Sequence, residues 1–124
     1  MNTHDRIKKI EKELAEIKKQ VAKEVNWHKI GDFEVSENLG DLDWNAAMEK
    51  AKESGGRIPE RWEWIKIVDE NYDELQTLIK DDPSNYFWSA TEYLSTNAWT
   101  VVLNNGNTYN NNKSTSSYYV RCVR

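Results

Sequence analysis

Cysteine is almost absent from this chain of 124 residues: Cys122 stands alone. One thiol excludes an intramolecular disulfide. With no His/Asn partner motif beside it, a Cys in an apolar strand reads as a core residue rather than a nucleophile. Histidine is limited to His4 and His28. Neither stands at a Cys or carboxylate spacing that builds a zinc site, and both read as surface residues. Excess positive charge is also lacking. The net charge is -4, and from Phe87 to Arg124 the charged residues are only Glu92, Lys113, Arg121 and Arg124. A surface that tracks phosphates wants a denser run of cations, so no nucleic-acid partner and no polybasic membrane contact are expected. No apolar run approaches the ~20 residues of a membrane-spanning helix, and the N-terminus carries no signal-peptide pattern. Membrane insertion is therefore not expected either.

What is abundant is asparagine, in one place. The fourteen residues from Asn104 to Ser117 contain six Asn, three Ser and two Thr. An ordinary strand avoids that composition, because Asn side chains compete with the ladder for backbone hydrogen bonds. The flanks are different. Phe87, Trp88, Trp99, Val101, Leu103, Tyr119, Val120 and Val123 are candidate core positions. A floppy polar loop is the plain alternative, but strong flanking strands and the turn dipeptide Asn105-Gly106 argue against it. Interchangeable polar residues between aromatic anchors point to a rigid frame carrying a variable surface.

The rest of the chain reads as α+β. Residues 5 to 25 predict an amphipathic helix. Ile7, Ile10, Leu14, Ile17 and Val21 form an a/d seam of under three heptads, with Ile at d favouring three or more strands. The seam fits a short coiled coil, hence a homo-oligomer (a trimer), or a helix lying on its own domain. The folded body begins near Asn26. Trp27 to Val35 around Gly31-Asp32 predicts a hairpin. Asp43 caps a first helix that ends at Gly55-Gly56. Arg57-Ile58-Pro59 is an extended link. A second helix follows over about 60–69, with Trp62, Ile65 and either Trp64 or Val68 inward, and a third over about 72–80 buries Leu75, Leu78 and Ile79. Then the period changes to two: strands over 86–90 and 98–103, a type I′ turn at Asn105-Gly106, a weak strand from Asn107, and a closing strand over 118–123.

Several motifs anchor a family resemblance. They are Asp43-Trp44, Gly55-Gly56-Arg57-Ile58-Pro59, Trp88-Ser89-Ala90-Thr91-Glu92, Ala98-Trp99, Asn104-Asn105-Gly106-Asn107, Asn110 to Lys113, and Tyr119 to Arg124. Over residues 26–124 the chain resembles the variable proteins of diversity-generating retroelements, which have a C-type-lectin-type fold; Ile58 stands where Leu is common. The resemblance implies two to three helices, a C-terminal antiparallel sheet and a variable region over about 88–118. It implies a non-catalytic protein that binds a ligand or receptor through a surface diversified by adenine-directed mutagenesis. Asn, Ser, Thr and Tyr are common outcomes of that process, which accounts for the tract. A virion or the cytoplasm is then the expected location, with the cell surface reached through a partner.

The candidate ligand-binding residues are Tyr93, Leu94, Ser95, Asn97, Thr100, Asn105, Asn107, Tyr109, Asn110, Asn111, Ser114, Ser116 and Ser117. Tyr supplies rigid amphipathic area and Asn/Ser supply adaptable hydrogen bonds, as in antibody paratopes. The ligand is an unidentified protein or cell-surface group. No cofactor and no metal are expected. Asp41-Leu42-Asp43-Trp44-Asn45 imitates the start of a calcium loop, but Ala46 and Lys52 occupy the positions that need Gly and Glu. Glu92 is the one carboxylate of the variable segment, so paired acid/base chemistry has no basis. Formylglycine-generating enzymes share the fold class but depend on paired cysteines. The alternative function is a fixed-specificity lectin-like or adhesin domain of the same fold, which a calcium requirement for sugar binding would mark.

Overall fold

The computed structural model describes residues 25–124. The predicted N-terminal helix and its apolar seam lie outside the described residues. Within them the order is β1 (Trp27–Ile30), β2 (Phe33–Ser36), β3 (Asp41–Leu42), α1 (Trp44–Glu53), α2 (Arg61–Glu70), α3 (Tyr72–Ile79), β4 (Tyr86–Tyr93), β5 (Asn97–Val102), β6 (Thr108–Asn112) and β7 (Tyr118–Tyr119). The architecture is α+β. β1 and β2 form a separate hairpin, and the main sheet runs β3-β7-β4-β5-β6. Its neighbours pair antiparallel except β4 and β7, which meet in parallel at Phe87 and Tyr119.

Local chemistry accounts for α1. Asp43 sits at its N-cap and its Oδ1 accepts the Ala46 N–H at 2.8 Å. Trp44, Ala47 and Ala51 fall on one stripe and are buried. At the other end Gly55 N–H donates to Lys52 O and Gly56 N–H to Ala51 O. That bond pair requires a left-handed residue, and Gly55 supplies it at φ +89°. Gly56 serves differently: a Cβ there would lie 2.6 Å from Val123 O and 2.7 Å from the Trp27 ring. Its missing side chain lets the C-terminal segment approach.

Helix α2 corrects one expectation. Trp62 is not inward but 63% exposed, while Trp64, Ile67 and Val68 are buried and Ile65 is half-buried. The buried stripe is the i, i+3, i+4 set that starts at Trp64, two positions and thus about 200° of helix turn away from Trp62.

Two cores flank the main sheet. On one side Phe87, Val101 and Leu103 pack with Trp64, Ile67 and Val68 of α2, Leu75 and Ile79 of α3, and Ile30 and Val35. On the other, Trp88 and Ala98 pack with Trp44, Ala47 and Ala51 of α1, and with Ile58, Val120 and Cys122. The closing strand expected over 118–123 is split. Tyr118–Tyr119 joins the sheet; the chain then leaves it, and Cys122 and Arg124 bond β2 while Val123 bonds Arg57. Arg121, in that segment, is buried and donates to both oxygens of Asp82 at 3.0 and 2.9 Å and to Ser36 O at 2.7 Å. Cys122 is fully buried, and burial pushes its thiol pKa up, as fits a core residue.

The start of α2 carries a second ion pair. Arg57 donates to the two oxygens of Glu63 at 2.6 and 2.8 Å, and Glu63 Oε1 also accepts the Glu60 N–H. The Arg57 hydrogen bonds hold the Glu63 carboxyl below its ordinary value of 4.5, against burial. A carboxyl depressed in the folded state stabilises above its unfolded pKa, and that stability is lost as pH falls through the folded pKa. Glu63→Gln is therefore expected to melt lower at neutral pH and to lose less stability than the parent below pH 4.5. Melting curves across that range check it; parallel acid limbs would show that the pair contributes nothing.

Candidate ligand-binding face

Each residue of Trp88-Ser89-Ala90-Thr91-Glu92 has a positioning task. The β4–β5 register breaks between Trp88, opposite Thr100, and Glu92, opposite Ala98. Inside this bulge the Ser89 hydroxyl donates to Trp99 O at 2.7 Å, replacing a lost ladder bond. The Trp88 indole N–H donates to Leu42 O, and the Trp44 indole N–H to Ser89 O. Thr91 donates its hydroxyl to Glu60 at 2.5 Å and accepts the Arg61 N–H at 2.8 Å. The bulge is thereby locked to α1 and α2 before the chain enters the Asn-, Ser- and Tyr-rich segment.

The thirteen candidate residues fall into unequal groups. Tyr93, Leu94 and Ser95 are exposed at the β4–β5 turn, with Leu94 73% exposed and at φ +58°. Asn105, Asn107, Tyr109 and Asn110 are exposed on the β5–β6 loop and on β6. Ser114 and Ser117 are exposed, and Ser116 half-buried, between β6 and β7. Thr100 is different: it is fully buried, so no ligand reaches it in this structure. Its hydroxyl donates to Tyr109 O and accepts from Asn111 Nδ2. Asn111 in turn accepts from the Tyr118 hydroxyl at 3.0 Å, and half-buried Asn97 donates to Asn110 at 3.0 Å. Both central residues of a type I′ turn need positive φ, yet only Gly106 has it, at +80°. The hairpin instead closes with Gly106 N–H on Val102 O and Val102 N–H on Asn107 O. The Asn-rich strand β6 lies at the sheet edge, where it forms one ladder only, with β5.

Sequence reading missed two parts of this surface. Tyr86 lies before the tract, yet its ring stacks on Tyr109 at 6.1 Å and on Tyr118 at 6.1 Å, forming an aromatic row. Tyr86 is 40% and Tyr109 48% exposed. Alternation along β4 gave no signal for it, since Tyr86 shares parity with the fully buried Trp88. Trp99 was expected in the core but is half-buried, with Tyr93 edge-on at 5.4 Å and the Arg61 guanidinium 4.2 Å over its ring. Because the bulge ends opposite Trp99, the side chain faces Arg61 and Tyr93 at the rim rather than the packed centre.

Lys113 ties the tract down. Its Nζ donates to Glu92 at 2.9 Å and to Ser95 O at 3.0 Å, and lies 4.4 Å from the Trp44 ring centre. Its backbone bonds Thr96 O and the Trp44 N–H. Lys113→Ala is expected to destabilise by about 1–2 kcal/mol, the sum of an ion pair to a half-exposed carboxylate and a partly shielded cation–π contact. Urea unfolding measures it, and a change within error would show the staple to be idle.

Two depressions of about 440 and 420 Å³ lie beside His28 and Leu78 and beside Met48 and Arg57. Among the described residues no group of three or more His, Cys, Asp or Glu could hold a metal ion, and no helix is long and apolar enough to cross a membrane.

A rigid α+β frame that displays an Asn-, Ser- and Tyr-rich surface at its sheet edge is a C-type-lectin-like ligand-binding domain of the retroelement variable-protein type. The chain belongs to the Lcl C-terminal domain family, whose model matches residues 16–124. No curated protein gives a match.

Proposed function

We propose that this domain is non-catalytic and binds a protein or cell-surface ligand through the surface built by Tyr86, Tyr93 to Ser95, Asn105 to Asn110 and Ser114 to Ser117. We propose further that a retroelement diversifies that surface by adenine-directed mutagenesis. One observation carries the reading. Nine of the thirteen candidate residues are exposed, namely Tyr93, Leu94, Ser95, Asn105, Asn107, Tyr109, Asn110, Ser114 and Ser117. None of the nine belongs to either buried core. They can change without loss of the interactions that hold the fold, whereas a core change commonly costs a few kcal/mol out of roughly 5–15. Leu94 supports the reading in another way. An exposed leucine in the left-handed region costs about 1–2 kcal/mol that Gly or Asn would avoid, so folding alone would not choose it.

Sequencing the flanking DNA tests the diversification. A reverse-transcriptase gene and a near-copy of the 3′ coding segment differing at adenines are expected, and their absence would reject it. Display of the domain with the nine positions randomised tests binding. Selection on unrelated proteins should recover distinct binders, and a folded library that yields none would reject the face. Trimerisation through residues 5–25 belongs to the same proposal, because three linked faces gain avidity. Sedimentation of the full chain against one starting at Asn26 tests it, and two monomers would refute it.

A further inference from the structure

We infer that Arg61 is a fixed carboxylate-binding anchor within this surface, and that the ligand class is a peptide segment presenting an acidic side chain beside an apolar one. The inference rests on the binding reading above and adds a ligand chemistry to it.

The central carbon of the Arg61 guanidinium lies 4.2 Å from the centre of the Trp99 ring. The only hydrogen bond that Arg61 donates among the described residues comes from its backbone N–H, to Thr91. The carboxylates of its neighbourhood are engaged elsewhere. Glu60 accepts from Thr91, Glu63 is held bidentately by Arg57, and Glu92 by Lys113. Among the described residues the fork of N–H donors is therefore unpaired, while the group is held beside the Trp99 ring. A preorganised guanidinium loses little freedom when it takes a carboxylate in two parallel hydrogen bonds.

The surroundings select the ligand. Tyr93 packs edge-on against the same Trp99 and is 44% exposed, and Leu94, which follows it in the turn, is 73% exposed. One half-buried cation with an apolar and aromatic rim suits a single carboxylate flanked by hydrophobic side chains. A polyanion would want several cations, and Lys113, the cation of the tract, is 12% exposed and already bonded to Glu92 and Ser95. Arg61 precedes the tract, so it stays in place however the tract varies.

The test uses the full chain uniformly labelled with ¹⁵N, read at the backbone amides and at the Arg and Trp side chains. The probe is acetyl-Leu-Glu-Leu-amide, and acetyl-Leu-Gln-Leu-amide is its neutral control. The Arg61 Nε–H and Trp99 indole signals should shift saturably with the acidic peptide. Binding should be roughly tenfold weaker with the neutral one, a difference of 1.4 kcal/mol. Arg61→Gln should abolish the preference, and Arg61→Lys should keep a weaker one, because a point charge lacks the fork. Equal binding of the two peptides, a preference that survives Arg61→Gln, or no shift at all would overturn the inference. So would inorganic sulfate moving the same two signals more strongly than the acidic peptide. Peptide shifts confined to Tyr86 and Tyr109 would also overturn it, yet would leave the binding face standing. Failure of the randomised library is what removes the face itself.

Discussion

Asp82→Ala is expected to destabilise the domain by about 3–5 kcal/mol, the usual effect of stripping one partner from a buried ion pair. The side chains of Arg121 and Asp82 are 5% and 9% exposed. Arg121 reaches Asp82 in the turn after α3 and Ser36 O in β2, so it joins the C-terminal segment to two other parts of the chain. Without Asp82 a guanidinium stays buried with no counter-charge. Replacing both partners, as Asp82→Leu with Arg121→Met, should recover most of the loss, since apolar replacement of a buried pair is often near neutral. Denaturant unfolding of the parent, the single and the double variant measures both. A single variant within about 0.5 kcal/mol of the parent, the range of ordinary surface changes, would refute the assignment.

The second large effect separates frame from surface. Trp88 is fully buried, meets Tyr118 edge-on at 5.1 Å and donates its indole N–H to Leu42 O. Trp88→Ala should cost roughly 3–5 kcal/mol. Changing Leu94, Ser95, Asn107, Tyr109 and Ser117 together to Ala should cost less than that single substitution, because all five are exposed. Thermal melts of the two proteins rank them, and the opposite order would make the tract part of the structural core.

Much of the frame was legible because it rests on local chemistry. Asp43 and the Gly55-Gly56 pair mark both ends of α1 by capping rules that need nothing from the rest of the chain. The change from a helical to a two-residue period after Pro83 announced the sheet. The predicted third helix lost one residue, ending at Ile79. Trp62 misled because helical spacing alone does not say which stripe turns inward when aromatic residues stand at positions 62 and 64. Trp64 won that competition by reaching Phe87, 6.2 Å between ring centres, and Trp88 O.

The candidate site was less legible. Simple alternation put Thr100 at the surface. The sheet buries both sides of β5 instead, one under α2 and α3 and the other beside the Trp88 and α1 core. The β4 bulge moved Trp99 to the rim, and nothing in the chain before Trp99 marks that offset.

The sequence by itself marked one segment as the candidate variable surface. An Asn/Ser/Thr run between aromatic strands has a composition that folding does not require, and composition is a local property. Only the tertiary structure decided which of those side chains face outward and which fixed residues join them. Tyr86 and Arg61 join that surface, and Lys113 pins it from beneath, through register, a bulge and an edge strand. Those features depend on pairing between distant segments, which propensity and spacing along one chain do not encode.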